Sequence, residues 1–187
     1  MAEAARREDW PRSVAEFEAW HARQPERWEF IADQPRLMAP GSLTHTIIKG
    51  NVFTALIDAF EGRDCHVLVD GAQILTDEIS AIPDVVVTCL ALDLSTPAVA
   101  EPTIIVEVMS PWSEVDDTHR KWFSYRKIAS LKHYLVVAQD RRVVQVHSRA
   151  GELWRERFVS EGALELDDPL VRLELDAIYA QTEIAAA

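Results

Sequence analysis

The stretch Thr103–Trp122, "TIIVEVMSPWSEVDDTHRKW", joins a strand pattern to a helix pattern and places a charge inside the strand. Its first six residues are β-branched or apolar except for Glu107, and such runs form buried strands. A buried carboxylate is costly unless a cation or hydrogen-bond donors compensate its charge. Glu107 therefore indicates either a functional site or a strand end that opens to solvent.

The patterns on both sides of this stretch predict an alternation of helices and strands. Helical spacing and end signals predict helices over 12–24, 42–62 and 116–130, and a short helix or fraying tail over 175–187. β-rich runs bounded by turn residues predict two strands around a turn at 33–35, three strands over 65–110 and three over 132–160. This order favours a mixed α/β (α+β) fold with a central mixed sheet flanked by helices.

Length and composition predict a single folded domain. The 187 residues are 48% hydrophobic, and we find no linker within 1–187; the ends 1–12 and 181–187 are expected to be flexible. No apolar run approaches the roughly 20 residues of a membrane span, and no secretory signal is visible. Cys65 and Cys89 are far apart in the sequence, which favours two buried thiols in a reducing, cytoplasmic compartment.

The charge distribution is uneven along the chain. The net charge of -12 argues against a nucleic-acid partner, because phosphates favour basic proteins. Between residues 119 and 149, however, eight Lys or Arg residues stand against Asp140 alone. This segment fits either a face that binds a polyanion or a solvated face that pairs with acidic residues elsewhere.

Two carboxylates stand at strand ends and could form a metal site. Pro83 favours an extended conformation at Ile82, so Asp84 is expected at the start of the strand "VVVT". If that strand neighbours the one carrying Glu107, both carboxylates can face one cleft. Two hard oxygen ligands and several waters suit Mg²⁺ or Mn²⁺. Taken alone, the spacing fits equally well a turn-capping Asp84 and a solvent-facing Glu107.

Five segments between about Trp28 and Tyr179 resemble, in order and spacing, the motifs of a known family. They are "WEFIADQPRLMAP", "GSLTHTIIKGNVFTAL", "AIPDVVV", "IIVEVMSPWSEVDDTHRKWFSY" and "LKHYLVVAQDRRVVQVH". Together they resemble the Uma-two family of endonuclease-like proteins, a branch of the PD-(D/E)XK restriction-endonuclease-like superfamily. The resemblance implies a restriction-endonuclease-like core.

The resemblance also implies the main site residues. Asp84 matches the Asp of "PD" and Glu107 the (D/E) position, so both are expected to bind the metal ion. The superfamily pattern has Lys two residues further on, where this chain has Met109. Lys121, on the following helix, matches the family's basic residue and is expected to replace that lysine as the third catalytic residue.

Further residues match family positions with accessory roles. Glu29 is expected to contact the metal ion or its water, and His45 to orient another group or contact phosphate. Asp117 and Tyr125 are expected to position Lys121. Nucleic-acid contacts are expected from the basic segment next to the cleft, at Arg120, Arg126 and Lys127.

These residues imply a metal-dependent nuclease that uses Mg²⁺ or Mn²⁺ to hydrolyse phosphodiester bonds. DNA is the favoured substrate, and a homodimer is a possible assembly. The alternative is a nuclease-fold module that binds a nucleic acid or a protein partner with little or no catalysis. Other classes have less support. The chain has no G-x-S-x-G elbow for a serine hydrolase, no His pair at zinc-ligand spacing and no phosphate-binding glycine loop.

Overall fold

A computed structural model of the chain describes residues 10–109 and 115–184, without the side chains of 115–117. Most of the two ends predicted to be flexible, namely residues 1–9 and 185–187, lie outside this description. Among the described residues, we find no helix with the length and apolar character needed to cross a membrane.

Four helices are described, and two begin at serine caps. They are α1 (Val14–His21), α2 (Leu43–Ala59), α3 (Val115–Tyr125) and α4 (Leu175–Ile178). Ser13 Oγ accepts a hydrogen bond from the backbone N–H of Glu16, and Ser42 Oγ accepts one from that of His45, so each caps a free donor of the first helical turn. The apolar face of α2 is buried through Ile48, Val52 and Leu56, which fixes the direction in which its N-terminus points.

Within residues 10–109 and 115–184, twelve strands form a six-stranded central sheet, a four-stranded sheet and a hairpin. They are β1 (Trp28–Ile31), β2 (Gln34–Leu37), β3 (His66–Val69), β4 (Ile74–Leu75), β5 (Ser80–Ala81), β6 (Val85–Thr88), β7 (Ile104–Met109), β8 (His133–Ala138), β9 (Val144–Ala150), β10 (Leu153–Val159), β11 (Ala163–Asp167) and β12 (Leu170–Glu174). The central sheet has the order β10-β9-β8-β7-β6-β3, and the smaller sheet the order β2-β1-β5-β4. In the central sheet β7 and β8 are parallel and α3 connects them, so the predicted mixed sheet with flanking helices is confirmed.

The two faces of the central sheet are covered by different elements. Helices α2 and α4 and the β11–β12 hairpin pack on one face, whereas α3 packs on the other. Along β7, Ile104, Val106 and Val108 belong to the first cluster, and Ile105 and Met109 to the second. Alternation along the strand therefore places Glu107 on the α3 side, near the end of the strand.

The sequence misplaced one turn and missed four strands. The turn between β1 and β2 is at Ala32 and Asp33, which have positive φ angles of 51° and 58°, and not at 33–35. The single strand predicted over 65–75 is divided into β3 and β4, which belong to different sheets. Strands β4 and β5 have two residues each, too few for a periodic signal. Strands β11 and β12 alternate apolar and polar residues, but they are short, and the alternation in "ALELD" and "LVRLE" was not recognised as a hairpin.

The prediction of two free thiols is wrong, because Cys65 and Cys89 form a disulfide. Cys65 directly precedes β3 and Cys89 directly follows β6. These strands are antiparallel, with His66 opposite Thr88, so continuing the register by one residue brings the two cysteines together. The spacing of 24 residues did not reveal this pairing, and the reducing compartment inferred from free thiols loses that support.

Candidate active site

A cleft of about 740 Å³ lies between the β1–β2 hairpin, the N-terminal half of α2 and the ends of β6 and β7. Strands β6 and β7 are antiparallel neighbours with Val85 opposite Val106. Extending that register by one residue sets Asp84 opposite Glu107, and both residues line the cleft. The strand that follows Asp84 and the strand that carries Glu107 are therefore neighbours, which is the condition for both carboxylates to face one cleft.

Lys121 reaches this cleft from α3 and joins two carboxylates. Its Nζ lies 2.9 Å from Glu107 Oε1 and 3.0 Å from Glu29 Oε1. The three side chains are only 8–13% exposed, so little solvent screens their charges. Because α3 follows β7 directly and packs back over it, the helix returns Lys121 to the end of the strand that carries Glu107.

Two further hydrogen bonds fix the carboxylates that hold Lys121. The backbone N–H of Ile82 donates to Glu29 Oε1 at 2.8 Å. The hydroxyl of Tyr125, one helical turn after Lys121, donates to Glu107 Oε1 at 3.2 Å. Tyr125 is fully buried in the cluster under α3, so its hydroxyl holds the carboxylate in a fixed position.

Asp84 is held by groups from β7 and α2. Its Oδ2 accepts a hydrogen bond of 2.7 Å from the backbone N–H of Val108 and lies 3.2 Å from His45 Nε2. Its Oδ1 lies 3.8 Å from Lys49 Nζ. His45 thus lies where it can orient Asp84, which is one of the two roles expected for it.

The two opposed carboxylates have pKa values shifted in opposite directions. Burial, opposed in part by Lys121 and reinforced by Glu29 and Asp84, raises the pKa of Glu107 to about 8. Burial also tends to raise the pKa of Asp84, but the contacts with His45, Val108 and Lys49 outweigh it and lower this pKa. Asp84 is thus stabilised as an anion, whereas a second charge at Glu107 is only partly compensated.

The neighbouring donors are held in their protonated forms. Burial tends to lower the pKa of Lys121, but Glu107 and Glu29 outweigh it and raise this pKa well above its usual value. Burial, together with the same two carboxylates, raises the pKa of Tyr125 well above its usual value. Lys121 is therefore a cation and Tyr125 a neutral hydroxyl at neutral pH.

Two cleft residues were missed by the sequence argument. Lys49 lies one turn after His45 on the same face of α2, and its Nζ is 2.9 Å from Asp70 Oδ1 as well as near Asp84. Asp70 follows β3 with a positive φ of 48°. The i, i+4 spacing of His45 and Lys49 was the available signal, whereas the approach of Asp70 depends on the pairing of β3 with β6.

The other expected residues lie elsewhere or outside the description. Arg120, Arg126 and Lys127 are not among the described residues that line the cleft. Arg126 lies over the ring of Phe123, and Lys127 forms an exposed ion pair with Glu78. The side chain of Asp117 is outside the described part of the structure.

The donor chemistry of the cleft fits a divalent cation. No hydrogen bond to Glu107 Oε2 occurs among the described residues, and Asp84 Oδ1 has only the distant Lys49. The described residues contain no group of three or more His, Cys, Asp or Glu side chains arranged to hold a metal ion. Two carboxylates with an open side for waters are nevertheless a ligand set that Mg²⁺ accepts.

Comparisons with known proteins agree with this architecture. Residues 14–178 match the Uma2 family, described as "Putative restriction endonuclease", and the chain belongs to this family. The chain is 28% identical over 172 residues to an uncharacterized protein of Synechocystis sp. strain PCC 6803, covering 89% of this chain and 90% of that protein. These findings confirm the resemblance inferred from the five sequence segments.

A solved structure supplies the fold class. A protein from Anabaena variabilis described as a "putative nuclease belonging to DUF820" matches with a TM-score of 0.74 at 13% identity. The match covers 91% of this chain and 98% of that one. The restriction-endonuclease-like fold predicted from the sequence is thus confirmed, and membership of the family supports a nuclease-like function.

Proposed function

We propose that the protein is a metal-dependent nuclease that hydrolyses phosphodiester bonds, with DNA as the favoured substrate. The main support is that Asp84, Glu107 and Lys121 line one cleft, where Lys121 Nζ lies 2.9 Å from Glu107 Oε1. Family membership supports the class of reaction. The three residues follow the order of a PD-(D/E)XK centre in which the lysine comes from the next helix.

In this proposal Asp84 and Glu107 hold Mg²⁺ or Mn²⁺. Such an ion, when bound, polarises the scissile phosphate and lowers the pKa of a coordinated water. Asp84 is suited to the role because His45 and the Val108 N–H already fix its carboxylate. Tyr125 fixes Glu107 in the same way from the other side.

Lys121 acts in the proposal as a hydrogen-bond donor to charge that develops on the phosphate. Its pKa is raised by Glu107 and Glu29 against the effect of burial, so it is protonated and not suited to take a proton from water. A positioned cation in a buried site stabilises an anionic transition state strongly. Glu29 is then a positioning residue that shares the ammonium with Glu107.

The test is cleavage of labelled DNA and RNA, and of the small diester bis(4-nitrophenyl) phosphate, with Mg²⁺, Mn²⁺ or EDTA. We expect EDTA to abolish hydrolysis, and Asp84→Asn and Lys121→Ala each to lower its rate at least about 100-fold. Lys132→Ala, which removes a surface cation outside the cleft, is the matched control. Metal-dependent hydrolysis that survives both cleft substitutions would exclude this site.

A second candidate function is a binding module with little catalysis. The observation that favours it is that Lys121 already supplies a cation between Glu29 and Glu107, so the acidic centre is partly neutralised without a metal ion. Titration calorimetry with Mg²⁺ separates the two functions. Heat of binding that disappears in Asp84→Asn supports the nuclease, whereas no binding in the unaltered protein supports the module.

Two wider expectations belong to the same proposal. A cytoplasmic location fits an enzyme that acts on nucleic acid. A homodimer is compatible with β10, which is an edge strand of the central sheet and exposes Leu153 and Phe158. Light scattering of the full chain checks the assembly, and a monomer at tens of micromolar would contradict it.

A further inference from the structure

One face of the β1–β2 hairpin changes along its length from a buried apolar residue, through a carboxylate, to an exposed arginine. Ile31 is fully buried in the core under α3, Glu29 lies two residues earlier at the acidic centre, and Arg27 lies two residues earlier again. The backbone pairing of β1 with β2 continues beyond Trp28 to Arg27, whose carbonyl accepts a hydrogen bond of 2.9 Å from the N–H of Met38. Residues two apart along a strand share a face, and Arg27 lines the same cleft as Glu29.

The partner strand adds a second guanidinium to this face. Arg36 on β2 stands directly opposite Glu29 on β1 and also lines the cleft. Residues directly opposite each other in an antiparallel pair project to the same side of the sheet. The hairpin therefore presents Arg27 and Arg36 next to the carboxylate that holds Lys121.

The cations in the cleft differ in how far their charge is already compensated. Lys121 lies between Glu29 and Glu107, and Lys49 lies between Asp70 and Asp84. Arg27 is exposed, and no ion pair or side-chain hydrogen bond connects it to the rest of the described chain. Its guanidinium is thus able to bind an anion without first leaving an acidic partner.

The basic segment 119–149 contrasts with this hairpin face. Lys127 and Lys132 each pair with an exposed carboxylate, of Glu78 and Asp168 respectively. Arg149 donates to the backbone carbonyls of Arg126, Ile128 and Leu131, where it ties the end of α3 to β9. Much of the charge that made this segment basic is therefore used within the protein.

We propose that Arg27, with Arg36 beside it, binds a backbone phosphate of the nucleic acid next to the scissile phosphodiester. Strand geometry sets Arg27 about 7 Å along the hairpin from Glu29, so the bound phosphate flanks the acidic centre and does not occupy it. A guanidinium suits this task because its planar donors match phosphate oxygens. This inference rests on the proposed nuclease function and names the surface that holds its substrate.

The experiment measures binding of fluorescein-labelled DNA and RNA 12-mers of one sequence by anisotropy, in EDTA so that metal-dependent cleavage does not occur. The variants are Arg27→Ala and Arg27→Glu, with Arg63→Ala as an exposed control that removes the same charge just after α2, outside the cleft. We expect Arg27→Ala to weaken binding about fivefold and to reduce the slope of log K against log salt by about 0.7 for a single strand. Arg27→Glu weakens binding further, and Arg63→Ala leaves both quantities unchanged.

Equal losses in Arg27→Ala and Arg63→Ala, or a loss in Arg63→Ala alone, would overturn the proposal. A second assay tests the nuclease activity separately from the binding of the flanking phosphate. It measures hydrolysis of bis(4-nitrophenyl) phosphate, which has no flanking phosphate. The unaltered protein should hydrolyse this small diester, and Arg27→Ala should do so at the same rate. If the unaltered protein does not hydrolyse it but Arg27→Ala still weakens oligonucleotide binding, the nuclease proposal fails and the phosphate-binding face stands.

Discussion

Two ion-pair regions of this protein have similar distances but different surroundings. In the cleft, Lys121 Nζ lies 2.9 Å from Glu107 Oε1, and the two side chains are 11% and 13% exposed. At the surface, Lys127 Nζ lies 2.6 Å from Glu78 Oε2, and these side chains are 58% and 52% exposed. Water and salt screen the attraction between Lys127 and Glu78, whereas they screen that between Lys121 and Glu107 much less. Burial, and not the shorter distance, therefore decides which pair matters to stability and function.

The largest expected effect comes from removing the buried cation. Lys121→Met keeps the aliphatic bulk of the side chain but leaves Glu29 without its counter-charge, and leaves Glu107, whose pKa burial raises to about 8, without a hydrogen-bond donor. Breaking a buried pair in this way costs about 3–5 kcal/mol, because the remaining charge stays desolvated. Urea unfolding followed by circular dichroism measures the loss.

The matched variant for this prediction restores neutrality in the cleft. Lys121→Met combined with Glu29→Gln removes the anion together with the cation and should recover part of the lost free energy of unfolding. A loss below about 1 kcal/mol in Lys121→Met, the range of exposed pairs, would show that the cleft pair is screened like Lys127 and Glu78.

An intermediate effect is expected from the two buried tyrosine hydroxyls. Tyr125 donates to Glu107 in the cleft. On the other side of the sheet, the hydroxyl of Tyr179 lies 3.0 Å from the carbonyl oxygen of Ala138 and 2.9 Å from that of Val143, which share its single proton. Replacement by Phe should cost about 1 kcal/mol in Tyr125 and at least as much in Tyr179, because each change removes a buried hydrogen bond.

The two variants separate stability from function. Tyr125→Phe should also lower the rate of phosphodiester hydrolysis, since Glu107 loses one of the groups that fix it. Tyr179→Phe should leave that rate unchanged at temperatures where the protein is folded. Equal rates in both variants would remove Tyr125 from the site.

Much of the fold and of the cleft could be predicted from local pattern. The run around Glu107, the helix that follows it and the Pro-Asp before β6 each have a short-range signal, and the family resemblance arranged them. The placement of Asp84, Glu107 and Lys121 in one cleft agrees with that expectation, although their catalytic roles remain proposals. Helix periodicity and strand alternation were sufficient because these elements are buried on regular faces.

Long-range pairing explains what could not be predicted. Cys65 meets Cys89, and Asp70 approaches the cleft, only because β3 pairs with β6. The count of basic residues over 119–149 did not reveal that Lys127 and Lys132 are paired, since their partners Glu78 and Asp168 are distant in sequence. Charge along a chain shows neither which cations are paired nor how deeply they are buried.

The smallest expected effect is at the surface pair. Lys127→Ala should change the free energy of unfolding by no more than about 0.5 kcal/mol, because ordering two long side chains offsets most of the screened attraction. A double-mutant cycle with Glu78→Ala, measured at low and at 1 M salt, gives the coupling directly. We expect about 0.5 kcal/mol at low salt and almost none at 1 M, where the screening length is about 3 Å. A coupling that persists at 1 M salt would mean that this pair is as shielded from solvent as the one in the cleft, and the contrast between the two regions would then fail.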